Sequence, residues 1–83
     1  MKEVLFVCKG NTCRSPMAVA LLRDMVRSHG HQDRLRVSSA GIWASEGQPA
    51  TADAQRAMQE KGLDISGHRS HNLLLRDIRR ADL

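Results

Sequence analysis

The sequence predicts an α/β fold in which strands of a parallel sheet alternate with helices. A strand-like run, a helix-like run and a second strand-like run follow one another within residues 4–42. Residues 4–7 (VLFV) are continuously apolar, which is typical of a strand buried on both faces of a parallel sheet. A strand, a helix and a strand in this order favour a right-handed crossover. We therefore expect two parallel strands. The first, which contains residues 4–7, should be the central strand of the sheet.

The first predicted helix follows this strand and carries apolar side chains at a period of 3.6 residues. Ser15 suits the N-cap and Pro16 the first helical position, because their residue types favour these places. The apolar spacing continues to about Ser28, and Gly30 favours termination there. Residues 31–33 then indicate a turn.

The rest of the chain predicts short elements separated by polar loops. The second helix begins after a cap at Thr51 and ends at Gly62, where glycine permits the left-handed conformation. In chain order we expect a strand over 36–42, a loop over 43–49, this helix, a loop over 64–72, a short helix over 73–80 and the start of a further element over 81–83.

Length and composition indicate one small globular domain over residues 1–83. Apolar residues make up 41% of the chain and charged residues 27%, which excludes a disordered chain. Phe6 and Trp43 are the only aromatic residues, so we expect a thin, aliphatic core. A sheet of two strands leaves both edges open, which predicts an incomplete domain of marginal stability.

Charge and cysteine content narrow the possible partners. The net charge is +4 and the pI is about 9.8, which favours anionic partners. The arginines are dispersed and aromatic residues are few, so the sequence predicts no nucleic-acid partner. The sequence contains no long apolar run, so it predicts neither a membrane segment nor a signal peptide. Two cysteines five residues apart favour a reducing, cytoplasmic location and a thiol used in chemistry.

Residues 7–16 (VCKGNTCRSP) lie between the first strand and the first helix, where anion sites are usually built. A helix start offers unpaired backbone N–H groups and a partial positive charge, which bind phosphate and lower the pKa of a nearby thiol. Cys8 is therefore the candidate nucleophile, and Arg14 can bind two phosphoryl oxygens through its guanidinium. Attack on phosphorus would give a phosphocysteine that water hydrolyses.

Backbone amides from residue 9 to residue 15 form the predicted cradle for phosphate or sulfate. Gly10 permits a positive φ and close approach, and Asn11 tolerates the left-handed conformation. The Ser15 hydroxyl can donate a hydrogen bond to the thiolate. The predicted phosphate-binding residues are Lys9, Gly10, Asn11, Thr12, Cys13 and Ser15.

This segment resembles the phosphate-binding loop of the low molecular weight protein-tyrosine-phosphatase family. Further segments similar to the family are residues 17–18 (MA), 39–41 (SAG), 48–51 (QPAT), 62–66 (GLDIS), 68–70 (HRS) and 81–83 (ADL). The resemblance implies the amino-terminal half of a doubly wound, flavodoxin-like sheet, phosphorylated protein or peptide substrates, and no metal or cofactor. It also implies a hydrogen-bond network that holds the loop in shape, formed by Asn11, Ser15, Ser39 and His68.

The sequence also resembles bacterial protein-arginine phosphatases that share this fold and loop. Thr12 distinguishes the two groups, because phosphotyrosine enzymes commonly carry a bulkier aliphatic residue there. A threonine hydroxyl can orient water or a guanidinium beside the phosphorus. Residues 39–45 (SAGIWAS) resemble the arginine-enzyme loop, which makes Trp43 a candidate wall for a flat substrate side chain. A loop aromatic that only packs is the alternative for Trp43.

One departure from the family concerns the general acid, an aspartate that precedes a proline. The only prolines follow Ser15 and Gln48, so the sequence contains no Asp-Pro pair. We therefore expect a truncated family member, and an inactive fragment that only binds phosphate-like anions is an open alternative. An arsenate-reductase-like protein is a weaker one, because the downstream cysteines that its mechanism needs are absent from these residues.

Two further alternatives concern the cysteines. Cys13 is either a small core residue or, as the resemblance suggests, the partner of Cys8 in a reversible disulfide. Zinc ligation by Cys8, Cys13, His68 and His71 fits poorly, because the spacing is unsuitable and Arg14 would have no role.

Overall fold

The computed structural model describes residues 2–30 and 34–83. Within these ranges the chain forms β1 (Lys2–Cys8), α1 (Arg14–Ser28), β2 (Leu35–Gly41), α2 (Ala52–Gln59) and α3 (Leu75–Arg80). The predicted α/β class and order of elements are confirmed. The turn predicted over residues 31–33 lies outside the described residues.

β1 and β2 are parallel, and their register places the two strand ends side by side. Lys2 lies opposite Leu35, and Cys8 lies opposite Gly41. Because side groups that follow parallel strands meet at the carboxyl edge of the sheet, this edge is where an α/β protein usually binds its ligand. The register therefore brings the loop after β1 next to the loop after β2.

The other edge of β1 contacts the last residues of the chain. The Leu83 N–H donates to the Glu3 carbonyl at 3.1 Å, and the Leu5 N–H donates to the Leu83 carbonyl at 2.7 Å. This alternation about Val4 is the hydrogen-bond pattern of a parallel pair. β1 thus lies between β2 and residues 82–83, in the central position predicted for it.

The prediction that residues 4–7 are buried on both faces is wrong for this chain. Val4, Leu5 and Phe6 are partly exposed, and Val7 is 44% exposed. Only α1 and α3 pack on β1 among the described helices. A continuous apolar run predicts a strand that is covered on both faces, whereas the described helices leave β1 partly exposed.

α1 begins one residue before the predicted cap. Cys13 is the N-cap and makes no side-chain capping bond, whereas Ser15 lies inside the first turn. Ser15 is not the cap because its hydroxyl is bound to Asn11 Nδ2 at 2.7 Å. The first turn therefore has no side-chain cap, which leaves its N–H groups available to an anion.

The core between α1 and α2 is small and aliphatic, as predicted. Ala50, Ala54, Met58 and Ile65 are buried, and partly buried residues of α1 and α2 pack against them. Thr51 caps α2 by accepting from the Ala54 N–H at 3.2 Å, as its residue type predicts. Within residues 2–30 and 34–83, no helix combines the length and apolar character that crossing a membrane requires.

Candidate active site

The loop of residues 9–13 joins β1 to α1, and Cys8 is the last residue of β1 directly before this loop. Cys8 Sγ lies 2.9 Å from Ser15 Oγ, and the Asn11 N–H donates to the sulfur at 3.1 Å. Cys8 is half-buried, and its sulfur bonds to groups of the loop and of the first turn of α1. The sulfur therefore lies where an anion bound by the loop would meet it.

Two opposing effects determine the pKa of the Cys8 thiol. Burial, the largest single effect, raises the pKa, because it disfavours the charged form. Hydrogen bonds from the Ser15 hydroxyl and from backbone N–H groups of Ser15, Asn11 and Gly10 together outweigh burial and bring the pKa below its ordinary value. The thiolate, which is the nucleophilic form, is thereby favoured.

Asn11 makes the reversal of the loop, with a φ of 56° and a fully buried side chain. Its Nδ2 donates to Ser15 Oγ at 2.7 Å and to Ser39 Oγ at 2.8 Å. Because the Ser15 oxygen accepts from Asn11, its own hydrogen is free to donate to the Cys8 sulfur. One amide thus orients the hydroxyl that stabilises the thiolate.

Two histidines bind Asn11 from the segment before α3. His68 Nε2 donates to the Asn11 carbonyl at 2.6 Å, and the His71 N–H donates to Asn11 Oδ1 at 3.0 Å. Asn11 is therefore bonded to all three side chains that the resemblance placed around it. The contribution of His71 was missed at the sequence level, because it comes from a backbone N–H and carries no residue-type signal.

The structure corrects the conformation predicted for Gly10. Gly10 is not among the residues with positive φ, since the reversal occurs at Asn11 instead. The close approach occurs at Gly41, where an added Cβ would lie 2.7 Å from the Lys9 carbonyl and 3.1 Å from Asn11 Cβ. Glycine at position 41 therefore lets the ends of the two strands meet.

Arg14 is exposed and is the first residue of α1. Together with Cys8 and Ser15 it lines a cavity of about 230 Å³, whose apolar wall comes from Phe6, Val7 and Ala18. Cys8 and Arg14 thus line the same cavity.

We call residues 9–13 the phosphate loop and residues 42–51 the rim loop. Both ends of the rim loop contact the phosphate loop. The Trp43 N–H donates to the Lys9 carbonyl at 2.9 Å, and the Thr51 N–H donates to the Thr12 carbonyl at 2.8 Å. The Trp43 side chain is 80% exposed, so it is not a packed loop aromatic. Its backbone lies beside Lys9, and its side chain is open to solvent.

Cys13 is exposed, and both cysteines are free thiols. Cys13 therefore does not occupy the core position considered for it, since its side chain is open to solvent at the helix cap. No group of three or more histidine, cysteine, aspartate or glutamate residues within the described ranges could hold a metal ion.

A parallel βαβ unit with a C-x5-R-S loop at its carboxyl edge defines a class of cysteine-dependent phosphate-binding folds. The family model for low molecular weight phosphotyrosine protein phosphatase matches residues 3–83, and the chain belongs to this family. The predicted family and fold are thereby confirmed.

Three similar proteins illustrate the range of the family. A protein-arginine-phosphatase of Geobacillus stearothermophilus is 46% identical over 71 residues, which are 86% of this chain and 44% of that protein. The low molecular weight protein-tyrosine-phosphatase YfkJ of Bacillus subtilis is 37% identical over 84 residues, or 100% of this chain and 51% of that protein. The crystal structure of a low molecular weight protein tyrosine phosphatase from T. tengcongensis superposes with a TM-score of 0.92 at 42% identity, covering 100% of this chain and 56% of that one. The chain spans about half the length of the curated relatives it matches.

Proposed function

We propose that the protein is a phosphoprotein phosphatase that works through a phosphocysteine at Cys8. The observation that carries this proposal is the sulfur itself, which accepts hydrogen bonds from Ser15 and Asn11 at the open start of α1. Its lowered pKa favours the thiolate, which is the nucleophilic form. We also propose a cytoplasmic location, because a reducing compartment keeps such a thiol reactive.

The reaction proceeds in two displacements at phosphorus. The Cys8 thiolate attacks the phosphoryl group, and an S–P bond forms while the P–O or P–N bond to the leaving group breaks. Backbone N–H groups of residues 9–15 and the Arg14 guanidinium bind the three equatorial oxygens. Water then attacks the phosphocysteine, which releases inorganic phosphate and restores the thiolate.

The leaving group takes the electron pair of the broken bond and needs a proton. The resemblance assigns this proton to an aspartate before a proline, and the 83 residues contain no such pair. Loss of a positioned general acid costs about 10²–10⁴ in rate. The cost is smallest for p-nitrophenyl phosphate, because nitrophenolate leaves without protonation.

The test measures turnover of p-nitrophenyl phosphate and traps the intermediate by acid quenching and mass spectrometry. We expect slow turnover and one phosphoryl group on the peptide that contains Cys8. Cys8→Ser should abolish both signals, whereas the matched variant Cys13→Ser should keep the phosphoryl group on Cys8. Turnover that survives in Cys8→Ser would sink the proposal.

A second candidate function is binding of phosphate-like anions without turnover. It is favoured by the first turn of α1, which has no side-chain cap and so leaves backbone N–H groups available to an anion. The loop geometry serves this function equally well, since the amides and Arg14 bind an anion whether or not the sulfur attacks. Equal phosphate affinity in the wild-type chain and Cys8→Ser, with no turnover in either, would establish it.

Between the two substrate classes, Thr12 supports phosphoarginine. Its Oγ1 lies over Gly10, 3.6 Å from where a Cβ would stand, and thus close to the loop that binds phosphate. Thr12→Val keeps the shape of the side chain and removes the hydroxyl. If the hydroxyl orients a guanidinium or water, the phosphoarginine to phosphotyrosine rate ratio on matched peptides should fall about tenfold, the effect of one hydrogen bond. An unchanged ratio would remove the case for Thr12.

A further inference from the structure

Residues 70–72, which we call the strap, contact both the phosphate loop and the rim loop. His71 binds the phosphate-loop side, where its N–H donates to Asn11 Oδ1 at 3.0 Å and its carbonyl accepts from the Gly41 N–H at 2.7 Å. Both contacts use backbone groups of His71. The side chains of its neighbours, Ser70 and Asn72, bond to the rim loop instead.

Asn72 binds the rim loop directly after Trp43. Its Oδ1 accepts from the Ala44 N–H at 2.7 Å, and its own N–H donates to Glu46 Oε1 at 2.6 Å. Ala44 is 7% exposed, so this bond is shielded from water. The backbone of Trp43 is thus held by the bond of its neighbour Ala44 to Asn72 and by its own bond to the Lys9 carbonyl.

Ser70 binds the far half of the rim loop and is 2% exposed. Its Oγ accepts from the Gln48 N–H at 2.9 Å and donates to the Ser45 carbonyl, while its N–H donates to the Gln48 carbonyl at 2.7 Å. The rim loop is therefore held along its length by two side chains of one short segment.

We propose that Asn72 and Ser70 are positioning residues that hold Trp43 at the border of the phosphate loop and so determine how tightly the organic part of a substrate binds. This inference rests on the proposed function, because it assigns Trp43 a substrate contact. The phosphoryl group is bound by residues 9–15, which neither side chain touches. Loss of the Asn72 amide should therefore weaken binding of an aryl phosphate and spare binding of inorganic phosphate.

The test uses calorimetry on the 83-residue chain carrying Cys8→Ser, which binds without turnover. The ligands are inorganic phosphate and phenyl phosphate. In Asn72→Ala we expect the Kd of inorganic phosphate to stay within about twofold, which also shows that the loop is folded, and the Kd of phenyl phosphate to rise about fivefold, the effect of losing one aromatic contact. Trp43 is the only tryptophan, so its fluorescence anisotropy should fall in the same variant.

A double-mutant cycle separates positioning from a general structural effect. Trp43→Ala should raise the phenyl phosphate Kd by itself, and adding Asn72→Ala should then have no further effect, because Asn72 acts through Trp43. Ser70→Ala provides a second variant on the other half of the rim loop. Its matched control is Ser66→Ala, because Ser66 is an exposed serine four residues before the strap and its side chain bonds to Asp64 rather than to the rim loop.

The outcomes distinguish the two proposals. Equal losses for both ligands in Asn72→Ala and Ser70→Ala would show that the strap only supports the fold, which overturns the inference. Unchanged phenyl phosphate binding in both variants would overturn it as well, with the proposed function intact. If the Cys8→Ser chain binds neither ligand, the proposed function itself fails and the inference falls with it.

Discussion

Asn11 shows how one side chain can organise a site that acts through other residues. It is fully buried, and its amide bonds to Ser15, Ser39 and the backbone of His71. A buried amide is costly unless its donors and acceptor are paired, so each of these bonds restricts the loop to one geometry. Asn11 thereby orients the Ser15 hydroxyl and, through it, supports a hydrogen bond that lowers the pKa of Cys8.

The lowered pKa of Cys8 predicts selective alkylation of this thiol. In a Cys13→Ser chain, the rate of reaction with iodoacetamide should remain high at a pH at which a free thiol has already lost reactivity. The reason is that a lowered pKa keeps the thiolate until the pH falls through that lower value. Ser15→Ala removes the hydroxyl donor and should shift the midpoint of the rate profile upward.

The measurement is the alkylation rate against pH, followed by mass spectrometry, with a cysteine-containing unstructured peptide as reference. Thr12→Val serves as a matched control, because it removes a hydroxyl from the same loop that does not bond to the sulfur. A midpoint equal to that of the reference peptide would contradict the hydrogen-bond account.

Much of this residue-scale chemistry could be predicted from the sequence, because the residue types themselves impose it. The nucleophile, the left-handed conformation of Asn11 and the role of the Ser15 hydroxyl follow from Cys, Asn and Ser in one loop. The positive φ predicted for Gly10 was wrong, since either of two neighbouring residues could have made the reversal. Only the tertiary bonds of Asn11 decide between them, and these come from residues 28, 57 and 60 positions away.

At the scale of elements, α3 is the clearest case of a helix start set by tertiary contacts. The sequence predicted a helix over 73–80, but α3 begins at Leu75. The Leu73 N–H donates to the Gly41 carbonyl, which draws that residue out of the helix. Asp77, inside the first turn, caps the helix by accepting from the Leu74 N–H at 2.8 Å.

Asp77 predicts how the stability of this helix depends on pH. The bond from the Leu74 N–H lowers the pKa of Asp77, burial opposes this, and His71 and Arg80 add to the lowering. A carboxyl group with a lowered folded-state pKa stabilises the protein above its ordinary pKa, and this contribution is lost as the pH falls through the lowered value. Asp77→Asn should therefore reduce stability near neutral pH and flatten its decline towards about pH 3.

Urea denaturation followed by circular dichroism at several pH values measures this difference. Asp53→Asn is the matched control, because Asp53 also lies in a first helical turn but is largely exposed, with only a surface ion pair to Arg56. If the wild type and Asp77→Asn lose stability in parallel on acidification, the capping role of Asp77 is wrong.

The start of α1 shows a different limit of prediction from local sequence. Ser15 followed by Pro16 is a good capping pattern. However, the helix starts at Arg14, and the Ser15 hydroxyl bonds to the Cys8 sulfur instead of capping the helix. Local preferences often give way at functional sites, where a side chain is held in a less favourable place for its chemistry. The absence of capping by Ser15 is therefore consistent with a candidate active site at the start of α1.

At the scale of the whole molecule, apolar surface remains open on more than one side. Leu75, Ile78 and Leu83 are 61%, 54% and 82% exposed, and Ile42 beside the site is 73% exposed. The buried core contains only small and medium aliphatic side chains. A chain of this kind gains little from burial, so the sequence-based expectation of marginal stability stays a prediction.

In a marginally stable chain, a bound anion contributes a large share of the free energy of folding. An anion that binds only the folded loop stabilises the chain by RT ln(1 + [L]/Kd), or about 2.7 kcal/mol at a concentration of 100 times Kd. We expect inorganic phosphate to raise the thermal midpoint and sharpen a broad transition of the 83-residue chain. Cys8→Ser should keep this response, because the amides and Arg14 remain, and Arg14→Ala should lose most of it.

Differential scanning fluorimetry in phosphate and in sodium chloride of equal ionic strength separates specific binding from screening. Arg23→Ala is the matched control, because Arg23 lies on α1 away from the loop and donates to the Val37 carbonyl. Equal midpoints in the two salts would contradict anion binding by the loop. A response that Arg14→Ala retains in full would instead assign binding to the backbone amides alone, because the helix start supplies donors and positive charge without any side chain.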